Sequence, residues 1–298
     1  MRVAITGSTG LIGSALSTHL SSLDHEVIRV VRGNPSGTDI EWSPSESRLD
    51  PHAFEGIDAV VHLAGAGIGD HRWTDDYKRE ILESRTKGTS LVSEAVAAAE
   101  NGPTTLLSGS AIGYYGSSPD ATFVESSPPG EGFLPEVCVK WEQATGVAEA
   151  AGVRVVHLRT GIVLSPVGGA LKKQLPLFKF GLGGKMGSGE QWQSWISIDD
   201  EVAAITHLLT ADISGPVNLT APNPVTNAEF TDTLGDVLGR PTILPIPKFG
   251  PKLLLGGELA ENLLFSGQKV LPGVLEADAG FEFRQPDLAT ALRHLLGR

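Results

Sequence analysis

Residues 2–13 read RVAITGSTGLIG, and the reading of this stretch decides the fold. RVAIT is a short β-branched run, glycines follow at 7, 10 and 13, and SALSTHLSS (14–22) then carries helical spacing. Glycines at i, i+3 and i+6 between a strand and a helix permit a tight turn. Without Cβ atoms there, a pyrophosphate can lie against the N–H groups of the helix N-terminus. Gly7, Thr9, Gly10, Leu11, Ile12 and Gly13 are therefore the first candidate cofactor contacts. The competing interpretation is a glycine-rich turn that binds nothing. Its position on the first βα turn favours a nucleotide.

Working outward, strand and helix patterns alternate. EVIRVV (26–31), IDAVVHLAG (57–65), TTLLSGSA (104–111) and VRVVHLRTGIVL (153–164) read as strands. WTDDYKREILESRTKGTSLVSEAVAAAE (73–100) reads as a long helix, and 135–150 as another. Near-continuous apolar strands separated by helices predict a Rossmann-type doubly wound parallel sheet, covered on both faces. After about residue 165 glycine and proline become denser, as in GLGGKMGSG (181–189). PVNLTA (216–221) reads as a strand, 227–239 as a helix from Asn227 to Gly239, PTILPIP (241–247) as an edge strand, and 288–296 as a closing helix. The expected division is a nucleotide-binding domain over 1–165, to which later segments return, and a smaller C-terminal α/β substrate cap over 166–298.

Composition narrows the partners. A 298-residue chain that is 41% hydrophobic affords a sizeable core. A net charge of −12 argues against nucleic acid, which selects basic surfaces. The single cysteine, Cys138, cannot form an internal disulfide and fits a reducing cytoplasm. MRVAITGSTGLIG is broken by glycines too early to act as a signal peptide. PKLLLGGELAENLLF, the most apolar run, is interrupted by Glu258 and Glu261, so no membrane span is expected. Eight histidines without an HxxxH pair or clustered carboxylates give no metal site. A small-molecule substrate and a homodimer are the expected partners.

The end of the second strand selects the dinucleotide. An acidic residue there would accept from a ribose 2′-hydroxyl, whereas this chain has Arg32, in VVRGN. A guanidinium suits a 2′-phosphate, so the expected cofactor is NADP (NADPH), against the alternative of a solvated surface arginine.

TGSTGLIG, IDAVVHLAGAG and SGSAIGYYG together resemble the extended short-chain dehydrogenase/reductase superfamily, the NAD-dependent epimerases and dehydratases. GLGGKMGSGEQWQSWISIDD, NPVTNAEF and SGQKVLPGVLEADAGFEFRQPDLATAL resemble one atypical, epimerase-like subfamily with a distinctive C-terminal segment. The resemblance spans essentially the whole chain. It implies fold and dinucleotide binding but names no substrate.

The family's chemistry uses a serine or threonine at the fourth strand end, a tyrosine, and a lysine one helical turn later. Carried over by position, Ser108 and Ser110 match the strand end and Lys140 the lysine, but Glu136 stands where the tyrosine belongs. A glutamate ionised at pH 7 is a poor proton donor. The chain has only Tyr77, Tyr114 and Tyr115, and the last two follow Ser110 closely enough to be expected at the cleft mouth as substitute donors. The alternative is that they are half-buried aromatics, and that Glu136 and Lys140 are surface charges. Leu63, Ala64 and Gly65 match the backbone beside the adenosine. Arg85 matches a groove-facing asparagine, with Glu80 to orient it, and Ile162 joins the cofactor set. His62 is expected to be a satisfied strand residue.

The substrate side falls to residues 66–73, 114–118 and 191–195, with Arg72 and Lys185 as candidate anion receptors and Trp192 or Trp195 as a stacking ring. Two functions remain open: an NADP-dependent oxidoreductase or epimerase acting on a small polar metabolite, and a dinucleotide-binding sensor or scaffold without hydride transfer.

Overall fold

The computed structural model describes residues 1–277 and 280–298. The C-terminal stretch that carries the subfamily resemblance includes residues 278 and 279, which lie outside the described residues. The first strands are β1 (Arg2–Thr6), β2 (Glu26–Val31), β3 (Ile40–Ser43), β4 (Arg48–Leu49), β5 (Ala59–His62) and β6 (Thr105–Ala111). Next come β7 (Thr122–Phe123), β8 (Arg154–Thr160), β9 (Ile162–Leu164), β10 (Trp192–Gln193), β11 (Trp195–Ser197), β12 (Gly215–Leu219), β13 (Val225–Thr226) and β14 (Lys269–Val270). Eight of these form one sheet in the order β12-β8-β6-β5-β1-β2-β3-β4, parallel throughout except for the β3–β4 edge. The chain runs outward from β1 through β2 in one direction and from β5 through β6 and β8 in the other. This is the doubly wound architecture predicted above, with the strand order reversing between β1 and β5.

Helices cover both faces. α1 (Leu11–Ser22) buries Gly13, Leu16 and Leu20, one helical stripe, against one face of the sheet. α2 (Asp75–Ala98) and α4 (Gly146–Ala150) cover the other, where Val92, Val96 and Ala148 pack with Trp42 and Phe54. α6 (Ile198–Leu208) lies beside α1 and adds Val202, Ile205 and Leu208 to the core of Val3, Ile5, Val156 and Val217. A separate core joins α5 (Gly169–Lys179), α7 (Asn227–Leu238) and the closing helix Leu288–Leu296 through Leu171, Phe230, Leu234 and Leu292. α7 starts at a capping box between Thr226 and Glu229 and stops at Gly239, whose φ of 62° is left-handed.

Several details depart from the sequence reading. The strand expected over 153–164 is two strands. At Gly161 the backbone leaves β8, donates to Leu219 O, and Ile162 then donates to Ser194 O as β9 joins β11. A Cβ at Gly161 would sit 2.5 Å from Ser194 O, so this exchange of partners requires glycine. The helix expected over 135–150 is α3 (Phe133–Gln143) followed by α4, broken where the Thr145 hydroxyl binds Glu142 O and the His157 ring. PTILPIP forms no strand beyond a single bridge from Ile246 to Met186, because Pro241, Pro245 and Pro247 have no N–H to donate. β3 and β4 were not anticipated: each is too short for its alternation to stand out. Among the later segments, β12 and α6 do return to the main sheet.

Beneath the ends of β6 and β8 lies a buried polar network. Arg159, 3% exposed, donates Nε and Nη2 to the two oxygens of Glu142 at 2.8 and 2.9 Å. Its Nη1 reaches the Tyr115 hydroxyl and Glu125 O. Burial works against the Arg159 charge, but Glu142 more than offsets this and holds the guanidinium above its ordinary pKa. Removing one partner of such a pair leaves an uncompensated buried charge. Glu142→Ala is therefore predicted to lower the unfolding free energy by about 3–5 kcal/mol, read from urea denaturation. A loss within the range of a surface substitution would show that the pair is not needed.

Candidate functional site: the crossover groove and its inner cavity

The groove opens where β1 and β5 part. Gly7 follows β1 at φ 67°, and a Cβ there would meet Leu63 C at 2.9 Å. Gly10 N–H donates to Gly7 O, closing the turn. Gly13 presses so closely on this turn that a Cβ would lie 2.2 Å from Gly7 O. Its role is therefore to pack the helix against the strand end. α1 has no capping side chain and no acidic residue in its first turn, so its first N–H groups are left to water or a ligand. Leu11 turns its side chain away, under Gly168 and Gly169.

Thr6, which the sequence reading overlooked, fixes this geometry. Its buried Oγ1 accepts from Leu63 N at 3.0 Å and Ala64 N at 3.2 Å and lies 2.8 Å from His62 Nδ1. With both lone pairs engaged by backbone donors, the hydroxyl proton is directed to Nδ1. His62 is then paired at Nδ1, but its buried Nε2 has no hydrogen-bond partner among the described residues, so it is satisfied on one side only. Burial holds its pKa down to about 4, so it is neutral at pH 7.

A cleft of about 1020 Å³ runs from the glycine turn across Leu63, Ala64 and Gly65 to the end of β2. Gly7, Thr9, Gly10 and Arg32 line it, together with Ser8 and Asn34. Two arginines of β2 and its loop reach the cleft, but Arg29 is held by Asp39 at 2.6 Å. Arg32 makes no ion pair among the described residues and stays exposed. Glu80 also lines the cleft, exposed on α2. It does not orient Arg85, whose Nη1 is held by Ala66 O at 3.0 Å and Ile81 O at 3.1 Å.

Next to the groove, from Ile68 inward, lies a smaller cavity of about 390 Å³. Arg85, Ile112, Cys138, Trp141, Ile162 and Trp192 are among its walls. It is roofed by residues 262–268, which Ser194 ties down by bonding Gln268 O and Val270 N. Trp195, by contrast, is core. Arg72 is spent on the carbonyls of Leu253 and Leu254, and Lys185 lines neither space.

The expected catalytic set is not assembled here. Tyr115 is buried with its hydroxyl donated to Asn218 Oδ1 at 2.6 Å, and Tyr114 stacks on the Arg159 guanidinium at 3.5 Å. Neither lines the groove or the cavity, which corrects the expectation that one stands at the cleft mouth. Ser110 donates to Glu142 at 2.7 Å, and Ser108 is fully buried. Lys140 and Glu136 form an exposed i,i+4 pair at 2.6 Å, outside both spaces. The face of α3 turned to the cavity carries Leu134, Cys138 and Trp141 instead. Burial pushes the Cys138 thiol up to about 12, so it is inert as a nucleophile.

One buried acid also escaped the sequence reading. Glu201 accepts from Thr160, at the strand end that borders the cavity, at 3.0 Å, and burial pushes its carboxyl up to about 8. The unfolded chain releases this proton near 4.5 and the folded protein retains it until about 8, so stability declines as pH rises through that window. We predict that Glu201→Gln flattens this decline. Denaturation midpoints measured at pH 5 and pH 8 should differ less in the variant, and an unchanged difference would place the titration elsewhere.

A model of the NAD dependent epimerase/dehydratase family matches residues 3–219, and a domain of unknown function, DUF1731, matches 246–295. An epimerase family protein of Mycobacterium bovis is 46% identical over 298 residues, covering 99% of this chain and 98% of that one. The human epimerase family protein SDR39U1 is 36% identical, covering 99% of this chain and 100% of its own length. The crystal structure of human SDR39U1 (isoform 2) with NADPH superimposes at a TM-score of 0.92 with 35% identity, over 100% of both chains. A Corynebacterium glutamicum structure described as a nucleoside-diphosphate sugar epimerase gives 0.80 at 39% identity, covering 100% of this chain and 58% of that one.

Proposed function

Because the chain belongs to the NAD-dependent epimerase/dehydratase family, we propose that it binds NADPH along the crossover groove and acts as an oxidoreductase on a small polar metabolite held in the inner cavity. The observation that carries this reading is the adjacency of the two spaces: Gly67 lines the groove and Ile68 the cavity. NADPH supplies a hydride when bound. The glycine turn and the open N-terminus of α1 fit its pyrophosphate, and Leu63, Ala64 and Gly65 let it lie close to the backbone. Arg32, charged and without a counter-ion among the described residues, fits the 2′-phosphate, and the NADPH in the human relative's structure supports that choice.

A dinucleotide-binding sensor without hydride transfer is the second reading. It is favoured by one observation, that Tyr114, Tyr115 and Lys140 all lie outside the cavity. Oxidation of NADPH by the protein across a panel of small carbonyl compounds separates the two. Tight NADPH binding with no turnover on any of them would favour the sensor.

For the cofactor itself, Arg32→Ala is predicted to weaken NADPH by about ten- to a hundredfold while leaving NADH nearly unchanged, since a hydrogen bond to a charged group is worth about 1.5–3 kcal/mol. Equal losses for both cofactors would mean that Arg32 does not read the phosphate. Lys140→Ala, in an exposed pair worth about 0.3–0.5 kcal/mol, is expected to leave NADPH affinity unchanged. A large loss would restore Lys140 to the site.

A further inference from the structure

Two arginines are almost fully buried, and the structure treats them differently. Arg159 has a bidentate carboxylate. Arg85, 6% exposed, forms no ion pair among the described residues. Its Nη1 donates to two backbone carbonyls, its carbon centre lies 4.8 Å from the Trp141 ring centroid, and its buried Nε has no hydrogen-bond partner. Desolvation lowers the pKa of this guanidinium, so its burial is opposed and not offset by a carboxylate. A buried cation without a counter-ion is costly unless a ligand supplies the negative charge.

The ligand that would do so is defined by the surroundings. Arg85 lines the inner cavity and is the only lysine or arginine among its lining residues. Ile68, Leu134, Trp141 and Trp192 give it apolar and aromatic walls, Ser117, Gln193 and Asn262 add uncharged polar groups, and the one acid among its described lining residues, Glu131, is exposed. Gly65, on the groove side, rests against the guanidinium: a Cβ there would lie 3.4 Å from Arg85 Cγ and Cζ. A diphosphate carries more charge than one guanidinium neutralises. A cavity of about 390 Å³ lies at the small end of ligand sites. We propose that the inner cavity takes a small polar molecule bearing a single carboxylate, anchored on Arg85. This deepens the oxidoreductase reading and rests on it for the identity of the cavity as the substrate side. It sets the substrate apart from sugar nucleotides.

The test uses benzoate as the probe and benzamide as its uncharged counterpart, titrated by calorimetry into the full chain with and without NADPH. Benzoate is expected to bind saturably in both states and benzamide at least about tenfold more weakly, the size of one charge-assisted contact. Arg85→Gln should abolish the preference for benzoate while keeping NADPH binding. Arg85→Lys, which retains the charge, should bind benzoate less tightly than the parent but still prefer it to benzamide. Equal binding of the two probes by the unaltered protein, or no benzoate binding at all, overturns the proposal even if neither variant folds. It is also overturned if NADPH abolishes benzoate binding, or if Arg85→Gln loses NADPH as well, since the guanidinium then serves the cofactor. Failure of the unaltered protein to bind NADPH would instead sink the cofactor reading, and the benzoate titration on the same protein would still decide this one.

Discussion

The Thr6 hydroxyl is the constraint on which the site depends. It takes the N–H groups of Leu63 and Ala64 at the end of β5 and faces His62 Nδ1, so one buried oxygen joins the ends of the two central strands. The strand order reverses at this seam, so no crossover helix covers it and the crevice stays open. The seam must also be tight. Gly7 passes within a Cβ's radius of Leu63, and Gly13 brings α1 down onto Gly7 O. The groove is what remains when backbone, not side chains, occupies the crossing. That leaves N–H groups and space for an anionic chain along it.

Electrostatics then divides the molecule into satisfied and unsatisfied charge. Arg159, Glu142, Tyr115, Asn218 and Ser110 form one network in which the principal donors and acceptors are matched, and it holds the ends of β6 and β8 against α3. Ordered in this way, Ser110 and both tyrosines are committed to structure. Arg85 lies against Trp141 with carbonyls and a ring for company, and it borders a cavity. These two guanidiniums therefore differ in what surrounds them, and α3 presents Leu134, Cys138 and Trp141, not Lys140, to the cavity.

The sequence by itself determined the central strands, the glycine turn and the helices over 14–22, 73–100, 227–239 and 288–296. These rest on local rules: apolar runs of strand length, 3.6-residue spacing, and glycines where a turn permits no Cβ. It also marked Arg32, by its place at the end of the second strand, and residues 63–65, through the family resemblance, as groove residues. It could not fix which face of α3 meets the cavity. Glu136 and Lys140 are four apart whichever way the helix is rotated, and only packing of Val137, Cys138 and Trp141 set that rotation. Nor could it separate Arg85 from Arg159. Both are single arginines in ordinary contexts, and whether a carboxylate waits nearby depends on residues far away in sequence or on the other side of a helix. Thr6 was hidden for the same reason. Its partners are more than fifty residues away, and a hydroxyl in a β-branched strand residue carries no local sign of what it will bond once the strands come together.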